Sequence, residues 1–151
     1  MLGCTLSNGA VWARCVKDNF TAEDYAAMLR TDLGPFLQRK FPEHTRIRLI
    51  TDGEALLHAP PAQREYSNFG IVRLGPWPKG SPDLNPQENV WAWAEKKLRE
   101  LENVNDSLTA FKQKCTRATK AYPKASAVRL AESMTRRVKK VIEMKGAMTK
   151  Y

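Results

Sequence analysis

Short apolar runs alternate with turn signals along the first half of the chain, and longer helical periodicities fill the second. Cys4, Leu6, Val11, Trp12 and Val16 flank an Asn8-Gly9 pair, which predicts two strands joined as a hairpin. Tyr25, Met28, Leu29 and Leu33 then recur at helical spacing behind Thr21 and Asp24, a pair placed to cap a helix. Gly34-Pro35 is expected to interrupt that helix, with Pro35 opening a last short turn through Phe41. Residues 46–51 are short enough for a strand, which runs into the turn signal Asp52-Gly53. Pro60-Pro61 predicts a short helix to about Phe69, and 71–74 a further strand. Residues 75–86 hold four prolines and two glycines, so they are irregular.

Asn85-Pro86-Gln87-Glu88 is written as a helix start, with Asn at the N-cap, Pro first and Glu third. Val90, Trp91, Ala94, Leu98 and Leu101 make the apolar face of that helix. A second helix carries Leu108, Phe111, Cys115, Ala118 and Tyr122 and ends at Pro123. Residues 125–145 predict one two-faced helix. Ala127, Leu130, Ala131, Met134, Val138, Val141 and Ile142 form the packing stripe, and Arg129, Arg136, Lys139 and Lys140 the opposite one. Strands first and helices later indicate an α/β or α+β domain.

Composition narrows the class. A chain of 151 residues fits one domain with a substantial core. It contains no apolar run near the ~18 residues of a membrane span. The start MLGCTLSNG lacks the basic and apolar regions of a signal peptide. Cys4, Cys15 and Cys115 form no CxxC pair, which favours a reducing compartment over secretion. The net charge of +9 is uneven: residues 1–75 carry 9 basic and 8 acidic groups, and residues 76–151 carry 16 and 8. From Lys112 onward, 12 basic residues face only Glu132 and Glu143. A polyanion partner is one reading, with nucleic acid ahead of a membrane surface. A solvated helical face is the other.

Two carboxylates stand where chemistry is often found. Asp52 follows a short strand, and Glu88 opens a helix beside the Pro-rich loop. At 100° per residue, Glu88 borders the apolar stripe of its helix without entering it. Such oxygens suit Mg²⁺. Asp before Gly is equally a simple turn, and Glu88 equally half of a capping box with Asn85.

The string Trp77-Pro78-Lys79-Gly80-Ser81-Pro82-Asp83-Leu84-Asn85-Pro86-Gln87-Glu88-Asn89-Val90-Trp91 resembles the signature W-P-x-x-S-P-D-L-N-P-x-E-N-x-W. That signature surrounds the last catalytic acid of mariner-superfamily DDE transposases. The segment 47–52 resembles the strand ending in the family's second catalytic Asp, and the 35 residues between Asp52 and Glu88 fit its spacing. Residues 1–41 are similar to the family's strand–NG–strand–helix segment.

This resemblance implies an RNase H-like α/β fold with a catalytic core over 1–105 and a basic helical extension over 106–151. It implies that Asp52 and Glu88 are catalytic and hold Mg²⁺ or Mn²⁺, for in-line attack on DNA phosphodiesters at a two-metal site. It also implies that the family's first Asp, on a central strand before the hairpin, precedes Met1. The expected protein is thus a truncated or inactive transposase domain, nuclear in a eukaryotic cell and otherwise intracellular. Asp18 and Asp24 are the nearby acids, and both read as strand-end or cap residues. The family usually has Asn after the second Asp and a His about five residues on. Here Gly53 follows, and His58 is six on. Arg99, Arg129, Arg136, Lys139 and Lys140 are the expected DNA contacts. A noncatalytic DNA-binding remnant, or a fragment completed by a second copy or another protein that supplies the strand, is the alternative.

Overall fold

The computed structural model describes residues 1–44, 46–75, 77–78, 80–100 and 106–149. Lys79 of the long motif and Leu101 of the helical stripe lie outside the described residues. The chain divides into two compact units, one of residues 1–16 with 81–151 and one of residues 17–80.

The first unit begins with the hairpin. Strands β1 (Leu2–Thr5) and β2 (Val11–Arg14) pair antiparallel, with Cys4 opposite Trp12. Gly9 sits at φ +83°, and Asn8 Oδ1 accepts from the Ala10 amide at 3.1 Å. The Asn-Gly pair therefore closes the turn through the two properties that recommended it, a left-handed backbone and a side-chain acceptor. Among the described residues, α4 (Pro86–Glu100), α5 (Leu108–Lys120), α6 (Lys124–Glu132) and α7 (Met134–Glu143) follow in this unit, numbered after the helices of the second unit. Val11, Val90 and Ala127 meet in the core, with Tyr122 and Leu130 packed against them. Trp93 meets Tyr122 edge to face at 5.3 Å between ring centroids. Burial pushes the Cys4 thiol up to about 12 and raises that of Cys115, so neither is poised as a nucleophile.

The second unit contains α1 (Ala22–Met28), α2 (Gly34–Lys40), β3 (Ile47–Leu49), α3 (Pro60–Asn68) and β4 (Ile71–Arg73). Strands β3 and β4 pair parallel, and Ile47, Leu49 and Ile71 turn to the core. Thr21 and Asp24 form the expected reciprocal capping box, and Lys17 and Thr21 hold the Asp24 carboxyl down at about 2. Tyr66 donates to the Leu57 carbonyl at 3.2 Å. Its single hydroxyl proton is thereby committed, so Tyr25 donates to Tyr66 across 2.9 Å. This pair ties α1 to α3 inside the core.

Two expectations about helices need correcting. Gly34-Pro35 does not interrupt the first helix. A π turn over Leu29–Leu33 joins α1 to α2, and the Gly34 amide bonds the Leu29 carbonyl. The wider turn accommodates Pro35, and Gly34 lets the Phe69 ring approach to 2.7 Å of where a Cβ would lie. The helix expected over 125–145 is likewise two helices, divided at Ser133. The Ser133 hydroxyl turns back to the Leu130 carbonyl at 2.6 Å, a bond of the kind that bends helices.

The packing face of α7 also differs. Val138 and Ile142 are 45% and 70% exposed, whereas Arg137 is 2% exposed. At 100° per residue, Val138 lies 100° and Ile142 140° around the helix from Arg137, so turning Arg137 inward carries both toward solvent.

Gly9→Ala is expected to destabilise the chain by about 1–3 kcal/mol. The added Cβ would sit 2.6 Å from the Lys124 carbonyl oxygen at a positive φ. Urea denaturation measures this. A loss no larger than that of an exposed Gly53→Ala control would contradict it.

Candidate active site

The long motif folds as a short 3₁₀ turn over Pro82–Leu84 followed directly by α4. Asn85 is the hinge between them. Its Oδ1 accepts from the Gln87 amide at 3.1 Å, its carbonyl from the Glu88 amide at 3.1 Å, and its own amide donates to the Pro82 carbonyl at 3.0 Å. Asn85 is therefore an N-cap, as the sequence indicates, but the capping box is not closed. The carboxylate of Glu88 meets the Asn85 side-chain amide at 3.4 Å, not the Asn85 backbone amide.

The residues around Glu88 fix its direction. Gln87 is buried and its Oε1 accepts from the Thr5 hydroxyl at 2.8 Å, tying α4 to β1. Trp91 lies over Gly3, where a Cβ would come within 2.4 Å of the indole. On the other side, Asn89 Oδ1 accepts from Arg137 at 2.8 Å. With both flanking side chains engaged in the protein, Glu88 stands exposed. Arg99 is also exposed and pairs with Glu95 at 2.6 Å.

Asp83 is the buried acid of the motif. Its Oδ2 accepts from both the amide and the hydroxyl of Thr149 at 2.8 Å. Those two bonds hold its carboxyl below the usual range. Neither Thr149 nor Arg137 was singled out by the sequence reading. A signal for Arg137 exists, because it continues the i, i+4, i+7, i+11 line of Leu130, Met134 and Val141.

In the second unit, β3 stops at Leu49, so Asp52 lies in the loop beyond it. Asp52 is exposed, and its Oδ1 accepts from the Glu54 amide at 3.3 Å. His58 Nε2 lies 2.8 Å from the Asp52 carbonyl. The carbonyl can only accept, so Nε2 carries the proton and His58 braces the loop. Asp18 is exposed in a turn, and Asp24 is committed to its helix cap. Arg129, Arg136, Lys139 and Lys140 are all exposed. Arg129 bonds Ser126, and Lys140 pairs with Glu143.

Asp52 and Glu88 each present accessible carboxylate oxygens, the donor type that Mg²⁺ and Mn²⁺ take. Among the described residues no group of three or more His, Cys, Asp or Glu gathers as a metal cluster. No helix among them is long and apolar enough to cross a membrane.

The fold is RNase H-like α/β. It matches the crystal structure of the catalytic domain of Mos1 mariner transposase with a TM-score of 0.76 at 21% identity, covering 95% of this chain and 72% of that one. The model of the DDE superfamily endonuclease family matches residues 1–112, and the chain belongs to that family. It is similar to two Caenorhabditis elegans proteins. Identity to the Tc1 transposase is 40% over 116 residues, covering 77% of this chain and 37% of the relative. Identity to the Tc3 transposase is 26% over 136 residues, covering 90% of this chain and 40% of the relative. The chain thus spans about two fifths of the length of these relatives.

The Asp83–Thr149 bonds make a pH-dependent prediction. A folded value below the ordinary Asp value of about 3.9 contributes stability that is complete above that value. It is lost as pH falls through the lower folded value. The Thr149 amide proton shift should therefore stay constant from neutral pH to about pH 5 and move as the pH falls below about 4. Asp83→Asn should remove that titration. A shift that already moves at or above the ordinary Asp value of about 3.9 would contradict it.

Proposed function

We propose that this chain is a transposase-type DNA-acting domain in which Asp52 and Glu88 hold Mg²⁺ or Mn²⁺. The observation that carries the reading is Glu88 itself. It belongs to a family signature, opens α4, and is exposed between Gln87, bound to Thr5, and Asn89, bound to Arg137. When bound, the metal would supply Lewis acidity to a phosphodiester and lower the pKa of an attacking water. The chain's own part is to present carboxylate oxygens: Glu88 meets the Asn85 side-chain amide at 3.4 Å and leaves the Asn85 backbone amide alone. DNA as partner in a eukaryotic cell implies a nuclear place of action. A second copy, or another protein adding a strand, is the accompanying proposal for assembly.

Calorimetric titration with Mn²⁺ tests the metal assignment. Asp52→Asn and Glu88→Gln should each weaken binding by at least about tenfold, the lower end of what loss of even an outer-shell partner costs. Asp18→Asn should leave it unchanged. Equal affinity in all variants would contradict the assignment.

A second reading is a DNA-binding domain without cleavage, favoured by the 12 basic residues against two acidic ones from Lys112 onward. Both readings need a surface for phosphates. Arg129, Arg136, Lys139 and Lys140, with Arg99, are the proposed contacts. The four C-terminal cations, neutralising four phosphates, give a slope near −3.6 in log affinity against log salt, with micromolar or weaker binding at physiological salt. Reversing the four C-terminal cations to Glu should flatten the slope while leaving the circular dichroism spectrum unchanged. Parent-like binding by that variant would assign these residues to a solvated face.

A further inference from the structure

Among the described residues of the basic C-terminal region, Arg137 is a cation turned away from any phosphate. Arg137 is 2% exposed. Its Nη1 donates to the Asp83 carbonyl at 2.7 Å, its Nη2 to Asn89 Oδ1 at 2.8 Å, and its Nε to Ser133 Oγ at 2.9 Å. The first two acceptors bracket Glu88. One lies in the 3₁₀ turn before the Asn85 hinge, and the other belongs to the residue after Glu88 in the first turn of α4. The angle at which the loop enters the helix is thereby fixed by one rigid planar fork. Thr149 binds the carboxylate of the same Asp83, so the C-terminal segment forms the back of the turn whose front presents Glu88.

We propose that Arg137 is the positioning residue of the Glu88-bearing turn. It holds Asp83 and Asn89 inward so that the intervening carboxylate keeps one direction. Its consequence for metal rests on the reading of Glu88 as a ligand. Lysine cannot replace it, because a single ammonium lacks the fork that spans both acceptors.

Amide hydrogen exchange on the intact chain tests this. The amides of Glu88, Asn89 and Val90 report the turn, and those of Ala118 and Ala127 report the rest of the same unit. Arg137→Lys and Asn89→Ala should each speed exchange of the turn amides by about tenfold, as expected for loss of a charge-assisted bond. The control amides should stay within about twofold, because the opening is local. Asn89→Asp keeps the acceptor and should retain protection. Asn89→Ala removes one tether and leaves the guanidinium its other acceptors, so it remains informative if Arg137→Lys fails to fold. The proposal is overturned if turn and control amides accelerate by the same factor, or if the turn amides do not change. Mn²⁺ titration of the parent separates the two claims. Failure of Mn²⁺ to broaden the Glu88 amide would remove the ligand reading of Glu88, and the exchange result would still decide the role of Arg137.

Discussion

Glu88 keeps its direction because its two neighbours cannot turn away. Successive helical side chains are 100° apart, so residues 87 and 89 flank residue 88 on the helix surface. Gln87 is bound to Thr5 of the hairpin, and Asn89 to Arg137 of α7. A carboxylate on a loop would spend its entropy among many directions. Here two hydrogen bonds on adjacent residues restrict the backbone that carries it, at no cost to the carboxylate's own oxygens. The buried guanidinium is the expensive part, since taking a charge out of water is repaid only by full hydrogen bonding. Acceptors at 2.7–2.9 Å, one on each of its three nitrogens, meet three of its five N–H donors.

The remainder of the first unit brings those anchors together. The hairpin must approach α4 closely enough for Thr5 to reach Gln87, and Gly3 permits it by leaving room for Trp91. The turn of the hairpin must in turn lie against α6, where Gly9 meets the Lys124 backbone. Two glycines thus remove side chains at the points where backbone and neighbour come closest. In the second unit the same problem is solved differently: the π turn lets a helix pass Pro35 without ending, so α1 and α2 act as one support.

Much of this was legible from residue order. The Asn8-Gly9 hairpin, the Thr21-Asp24 box, the Asn85 cap and the start of α4 at Pro86 are local events, decided by the backbone preferences of the residues themselves. The signature around Glu88 was legible for another reason: its prolines and its Asn restrict the chain so strongly that few sequences satisfy them. What escaped was non-local. Arg137 looks like Arg136 in composition, and only the acceptors offered by Asp83 and Asn89, 54 and 48 residues away, distinguish them. The apolar stripe through Val138 and Ile142 misled because an apolar residue counts toward a packing face in periodicity and an Arg does not, although Arg137 is the residue that turns inward. Gly34-Pro35 misled because a π turn has no sequence signature comparable to a cap.

On the reading proposed above, the motif presents Glu88 to a divalent cation. A crystal soaked in Mn²⁺ and measured at the manganese absorption edge tests it most directly. An anomalous peak is expected at coordination distance, about 2.0–2.2 Å, from a Glu88 carboxylate oxygen, and should be absent in Glu88→Gln crystals. A peak only on other carboxylates, with Glu88 free of density in the parent, would contradict it.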